Sequence, residues 1–223
     1  MAVTDEAIEK IKEMIVSGRL RPGDRLPKEA DLASNLELSR SSLREAVRAL
    51  SALRILDVRQ GDGTYVTSLA PSLLLEALSF LVDLHHDDTL LEIFEVRRML
   101  EPAVTAQAAI RIDIEDLDAL QKHLDKIHPG STVEELVAND LEFHSRIAAA
   151  SGNSVLKSLL DSLCAPTVRA RIWRGLTQEG AVERTVAEHV AILDAMRARQ
   201  PETARALATV HVLGVEEWLR KAP

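Results

Sequence analysis

The chain has 223 residues, of which 46% are hydrophobic and 28% charged. That composition allows two modest domains with cores of their own and excludes a wholly disordered chain. A lone cysteine, Cys164, excludes an internal disulfide, and the start MAVTDEAIEK has acids and no apolar stretch of secretory type, so a reducing cytoplasm is expected.

The formal net charge of −8 argues against nucleic acid only as an average. Residues 1–70 hold 11 basic and 11 acidic side chains, 19–59 hold nine against six, and the rest of the chain holds 16 against 24. The excess negative charge therefore lies in the second segment and says nothing about what the first one binds.

In chain order, Ile8, Ile11, Met14 and Ile15 predict a helix over about 4–17, ended by Gly18. RLRPGDRLP is a turn-rich connector. A short helix is expected over about 28–36 and a longer one over about 39–53, with Ser39 as its N-cap. LDVRQ and TYVTS flank GDG as a short hairpin, and Pro71 marks a linker. Beyond it only helical periodicity recurs, over about 72–84, 88–111, 113–128, 132–151, 153–173, 178–199 and 201–220. The apolar stretch LAPSLLLEALSFLVDL contains Pro71 and Glu76 and is too short for a membrane span. The fold class expected is mostly α, with a winged helix-turn-helix at 1–70 and an all-helical bundle at 71–223.

The first segment carries a pattern suited to DNA. In the helix opened by Ser39, Leu43, Ala46, Val47 and Leu50 share one face, and Arg40, Arg44 and Arg48 form a stripe on another. Ser41 and Ser42 sit at its start. A helix entering a major groove needs a small polar start to reach base edges and cationic sides for phosphates. A charged helix face alone is common; the order of basic turn, short helix, serine-rich start, arginine stripe and hairpin is not.

These residues carry a resemblance. RPGDRLPKEADLASNLELSRSSLREAVRALSALRILDVRQGDGTYV resembles the winged helix-turn-helix of GntR-type bacterial transcription regulators over residues 5–67. The resemblance implies operator contacts from Arg25, Arg40, Ser41, Ser42, Arg44 and Gly63, with Glu29 orienting an arginine; Lys28, as an extra cation, and Arg48, from the stripe, join the DNA-binding candidates. Three positions depart from the family pattern. Lys28 stands where a capping Ser is usual, Arg54 replaces a helix-ending Gly, and Asp62 puts a negative charge at the wing tip.

In the second segment, polar residues interrupt apolar stripes. Asp140 and His144 share a face with Val133, Val137 and Ile147. His189 falls with Val182, Val186, Leu193 and Met196, and His211 with Ala204, Leu207 and Trp218. Buried polar groups are costly unless they meet partners. One Asp and three His from different helices suit a borderline divalent metal such as Zn²⁺ or Ni²⁺; hydrogen-bonded core histidines are the alternative reading. His85, His86, His123 and His128 lack this spacing and read as surface or linker residues. Arg97 faces inward with Ile93, Leu100 and Val104. It can either grip a carboxylate ligand or pair with Glu101 one turn on.

Residues 72–220 are similar to the FCD domain of the FadR subfamily of GntR regulators. The similarity runs through EVRRMLE (95–101), DLEFH (140–144), Gly152-Asn153, Glu188-His189 and His211. It implies Asp140, His144, His189 and His211 as ligands of a divalent metal, with a small carboxylate effector beside it. Arg97, Asn153 and Arg171 are the effector-binding candidates, and Arg98 and Arg174 secondary ones.

The function expected is a ligand-responsive repressor, homodimeric on pseudo-palindromic operator DNA and not membrane-bound. A metal-dependent hydrolase or lyase is the rival, although no general base or nucleophile arrangement accompanies the ligands. A purely structural metal without an effector is the other.

Overall fold

The computed structural model describes residues 3–71, 73, 88–128 and 130–222. The chain divides into two compact units, Met1–Leu74 and Leu75–Pro223. The helix expected over 72–84, and His85 and His86, lie outside the described residues.

The first unit begins with α1 (Val3–Val16), α2 (Glu29–Asn35) and α3 (Arg40–Ala52). The antiparallel strands β1 (Leu56–Arg59) and β2 (Gly63–Val66) follow, with Leu56 opposite Val66 and Arg59 opposite Gly63. Ala7, Ile11, Leu20, Leu26, Leu43, Ala46, Leu50, Leu56 and Val66 form one core among all these elements. Ser39 caps α3, its hydroxyl accepting from the Ser42 N–H at 3.0 Å. Lys28 stands at the N-cap of α2, and its side chain makes no cap hydrogen bond.

Both helices of the motif end on a non-glycine residue in the left-handed region, Glu37 (φ 56°) and Arg54 (φ 56°). After α3, Ile55 N–H reaches Leu50 C=O at 2.9 Å and Arg54 N–H reaches Ser51 C=O at 3.0 Å. These two bonds close a Schellman turn without the usual glycine, at the conformational cost a Cβ brings there.

The second unit contains α4 (Asp88–Arg111), α5 (Ile114–Leu124), α6 (Val133–Ala150), α7 (Ser154–Cys164), α8 (Val168–Thr177), α9 (Ala181–Arg197) and α10 (Pro201–Lys221). Ala108, Ile112, Leu120, Phe143, Ile147, Ile192, Leu193, Met196 and Ala208 make its main core, and Phe94 of α4 packs with Val212 and Val215 of α10. Thr132 and Glu135 form a reciprocal capping box that fixes where α6 starts. This sets the phase that turns Asp140 and His144 inward. Among the described residues no helix is long and apolar enough to cross a membrane.

Two sequence expectations need correction. The helix expected over 153–173 is interrupted by a 3₁₀ turn at Ala165–Thr167, because Pro166 has no N–H to continue the α ladder. His123 is buried rather than at the surface. Its Nε2 lies 2.9 Å from the Asn139 carbonyl, and Asn139 Nδ2 donates to the His123 carbonyl at 2.7 Å. This reciprocal pair ties α5 to α6 one residue before Asp140.

Candidate nucleic-acid interface and candidate metal centre

In the first unit, the start of α3 presents Arg40 and Ser41 exposed, with Ser42 partly so. Ser39 Oγ lies 2.9 Å from Ser41 Oγ and 2.8 Å from Ser42 Oγ, so the three hydroxyls form one small polar cluster. One turn on, Arg44 donates from Nε to Glu29 Oε1 of α2 at 2.8 Å. Arg48 pairs with Glu45 at 3.1 Å. A groove of about 440 Å³ runs beside them, lined among others by Arg25, Lys28, Arg44, Arg48 and Gly63.

The hairpin closes one side of this groove. Arg25 donates to the Asp62 carbonyl and lies 3.9 Å from its carboxylate. Gly63 (φ 152°) lets Arg25 approach, since a Cβ there would sit 2.5 Å from Arg25 Nε. Tyr65 donates its hydroxyl to Asp62 Oδ2 at 2.9 Å, and the Arg59 guanidinium lies 4.2 Å from the Tyr65 ring centre. The carboxylate at the wing tip is thus held by Arg25 from the connector before α2 and by Tyr65 of the wing itself. The eight DNA-contact candidates all lie on α3, on its approach or on the hairpin.

In the second unit, α6 supplies Asp140 and His144 one turn apart, α9 supplies His189 and α10 supplies His211. All four are buried, and one ligand atom from each lies within 4.8 Å of the others. Asp140 Oδ1 is 3.2 Å from His189 Nε2, 3.6 Å from His144 Nε2 and 3.7 Å from His211 Nε2. Phe143 stacks on His189, centroids 4.3 Å apart and planes at 22°.

Burial depresses the basicity of all three imidazoles: His144 falls to about 3 despite Glu101, and His189 and His211 also move down. Each is therefore neutral at pH 7, the form that offers a lone pair to a metal. Among the described residues, His189 Nε2 is buried without a hydrogen-bond partner, and Asp140 Oδ2 has only its ion contact with Arg171. A divalent cation could satisfy such a set, and its donors suit a borderline ion such as Zn²⁺ or Ni²⁺.

The surroundings sort the arginines. Arg97 is fully buried, with its Nε on Glu101 Oε1, its Nη1 3.4 Å from Thr167 Oγ1 and its guanidinium against the Phe94 ring. It therefore forms the internal pair rather than presenting a free fork. Arg171 of α8 is buried in ion contact with Asp140 Oδ2, yet none of its guanidinium nitrogens has a hydrogen bond among the described residues. Arg174, one turn on, carries an unpartnered Nη2. Both line a cavity of about 30 Å³ with Asp140, Thr185 and His211.

Asn153 caps α7, its side chain accepting from Val155 and Leu156 N–H at 3.1 Å each. Arg98 pairs with Glu216 at 3.0 Å. Neither lines the cavity beside the cluster. Two acids also stand beside the imidazoles. Glu188 Oε2 lies 2.8 Å from His211 Nδ1, and Glu101 Oε2 lies 3.4 Å from His144 Nδ1. The only sequence signal was that Glu188 adjoins His189, whereas the imidazole it meets belongs to a different helix.

Comparison with known proteins bears on both units. Residues 3–66 match the bacterial regulatory proteins of the gntR family, and residues 92–214 match the FCD domain. The HTH-type transcriptional regulator LutR of Bacillus subtilis is 33% identical over 212 residues, covering 92% of this chain and 96% of that protein. The galactonate operon transcriptional repressor of Escherichia coli is 28% identical, covering 98% and 97%. The structure of a Streptococcus agalactiae GntR protein superposes with a TM-score of 0.75 at 28% identity, covering 96% of this chain and 99% of that one.

Proposed function

Given that this chain belongs to the GntR family of bacterial regulatory proteins and carries an FCD domain, it is a DNA-binding transcription regulator and not an enzyme, and we propose that a small carboxylate bound at a divalent-metal centre controls its operator affinity. Asp140, His144, His189 and His211 hold the metal. Arg171, with Arg174 beside it, receives the carboxylate. The observation that carries this reading is a buried guanidinium, in ion contact with Asp140 but with Nε and Nη2 unpartnered among the described residues, beside four converging ligand groups. A bidentate carboxylate is the natural complement to such a fork.

The E. coli relative is named for repression of a galactonate operon, and galactonate is a hydroxylated carboxylate. That supports an acid effector here and a repressor whose grip on DNA the acid relaxes. In the first unit, Arg40, Ser41, Ser42, Arg44 and Arg48 of α3 face the major groove, and Arg25, Lys28 and Gly63 flank them. A dimer places two such helices on related half-sites. The residue blocks 1–70 and 71–223 divide the work between DNA binding and sensing, in the cytoplasm.

One observation favours a second reading. The cavity beside the cluster is only about 30 Å³, close to the volume of a single water. A metal that only braces the bundle fits that space without rearrangement. Elemental analysis followed by operator-binding titrations, with and without small carboxylates at fixed salt, separates the two. An affinity that no carboxylate changes in the metal-loaded protein rules out the effector reading and leaves the structural one.

A further inference from the structure

We propose that Glu101 and Glu188 are positioning residues of the metal centre, each holding one imidazole so that its Nε2 lone pair faces Asp140. The proposal rests on the reading of Asp140, His144, His189 and His211 as metal ligands. His211 Nδ1 is hydrogen-bonded to Glu188 Oε2 at 2.8 Å, and His144 Nδ1 faces Glu101 Oε2 at 3.4 Å, in ion-pair range but without a hydrogen bond. A carboxylate can only accept, so the imidazole nitrogen facing it carries the proton. In a neutral ring the other nitrogen, Nε2, is then the bare one.

The consequence appears where the rings meet. His144 Nε2 and His211 Nε2 are 3.1 Å apart. Left alone, one ring could donate to the other and both would be satisfied. With both Nδ1 atoms protonated, two lone pairs converge beside the Asp140 carboxylate, and a shared cation satisfies all three. The two glutamates thus convert a self-satisfied histidine pair into a pair of ligand atoms.

His189 is held by a different device, the Phe143 ring stacked on it. Glu101 is itself fixed by Arg97, which donates to its other oxygen and also reaches Thr167. The Arg97–Glu101 pair therefore belongs to the outer support of the metal rather than to an effector pocket. The shorter contact makes Glu188 the stronger of the two supports.

The test uses the full-length protein with Zn²⁺ as the probe. Long-range ¹H–¹⁵N spectra of the metal-free wild type, labelled at histidine, should place the protons of His144 and His211 on Nδ1. Competition against a chromophoric chelator should show Glu188→Ala binding Zn²⁺ about 10- to 100-fold more weakly than wild type, the usual loss when an outer-shell partner of a metal-ligating histidine is removed. Glu188→Gln, whose amide oxygen can still accept, should recover most of that loss. Removing Glu101 alone strands Arg97, so the paired change Arg97→Met with Glu101→Leu tests that side, with metal-free melting temperature as the check on folding.

Protons on Nε2 in the wild type, or Zn²⁺ affinity unchanged in Glu188→Ala while His189→Ala abolishes it, overturn the positioning role and leave the metal site standing. A wild type that takes up no Zn²⁺ overturns the metal reading and this proposal together.

Discussion

Glu29 Oε1 of α2 accepts from Arg44 Nε of α3 at 2.8 Å, across the turn of the helix-turn-helix. The bond engages Nε of the guanidinium, and both residues line the groove with Arg25, Lys28 and Arg48. In the proposed recognition role, this bond would aim Arg44 before DNA arrives and lower the ordering cost of the contact. Arg44→Ala should weaken operator binding about tenfold or more and leave the melting of the helical unit unchanged. Glu29→Ala should weaken it less, because the cation remains and only its aim is lost. Equal affinity of Arg44→Ala and wild type in a fluorescence anisotropy titration would remove α3 from the role of recognition helix.

Lys28 is exposed at the start of α2 and does not cap it. A cation placed there acts on phosphates, which carry charge and no sequence. Lys28→Ala should weaken binding to operator and non-operator duplexes by similar factors. It should also reduce the slope of log affinity against log salt by about one. Lys28→Ser should add a helix cap and raise the melting temperature of the first unit while giving the same loss of affinity. A change confined to the operator sequence would make Lys28 a base-reading residue.

The parts of the fold that repeat were legible in the sequence, and the parts that depend on partners were not. The stripe of Leu43, Ala46 and Leu50 places α3 because a helix that must bury one face shows it every third or fourth residue. The same rule exposed Asp140, His144, His189 and His211, since polar residues stand out where apolar ones are due. Periodicity is silent about Glu101, Glu188 and Arg171. Their importance lies in which atom each one meets, and those atoms belong to residues 23 to 43 positions away in the chain. His123 was misread for the same reason, because its partner Asn139 is 16 residues off. Pro166 was visible, but a proline between two helical stretches does not say whether the chain bends or merely tightens into a 3₁₀ turn.

Metal removal gives the third prediction. Four buried ligand groups lose their shared partner when a chelator strips the ion, and the folded state loses the binding energy with it. The chelated protein should melt at a lower temperature than the Zn²⁺-loaded one. His189→Ala should hold less than one equivalent of metal and should show little further drop on chelation. Full metal content in His189→Ala, by elemental analysis after gel filtration, would take His189 out of the ligand set.

The metal-free protein should also be sensitive to mild acid. Burial holds His144 at about 3 and depresses His189 and His211 as well. The folded values lie below that of a free histidine, near 6.5, so as pH falls the unfolded chain takes up protons first. Stability is therefore fully present above about pH 6.5 and is lost as pH falls from there toward the folded values. Each such histidine contributes a slope of at most about 1.4 kcal/mol per pH unit. Urea unfolding of the chelated protein at pH 7.5 and pH 5.5 should show the loss, and His144→Gln should reduce it. A stability that does not change over that interval would mean the rings are not buried in neutral form.

Arg97 and Arg171 give the last prediction, because their burial is alike and their partners are not. Both are nearly inaccessible to solvent. Arg97 is matched by Glu101 and Thr167, so Arg97→Gln strands a buried carboxylate, and breaking a buried pair from one side costs about 3–5 kcal/mol. Its main effect should be a lower melting temperature. Arg171 is ion-paired to Asp140 Oδ2 and leaves Nε and Nη2 without acceptors among the described residues; a metal bound to Asp140 offsets the loss of that pair, so less is lost when Arg171 goes from the Zn²⁺-loaded protein. Arg171→Gln should keep most of the stability and the metal and lose the binding of small carboxylates. Arg171→Lys should restore charge without the bidentate fork and recover binding only in part. Calorimetric titration of the Zn²⁺-loaded proteins with a series of two- to six-carbon acids distinguishes the roles. Carboxylate binding that survives Arg171→Gln and disappears in a folded Arg97 variant would move the anchor to α4.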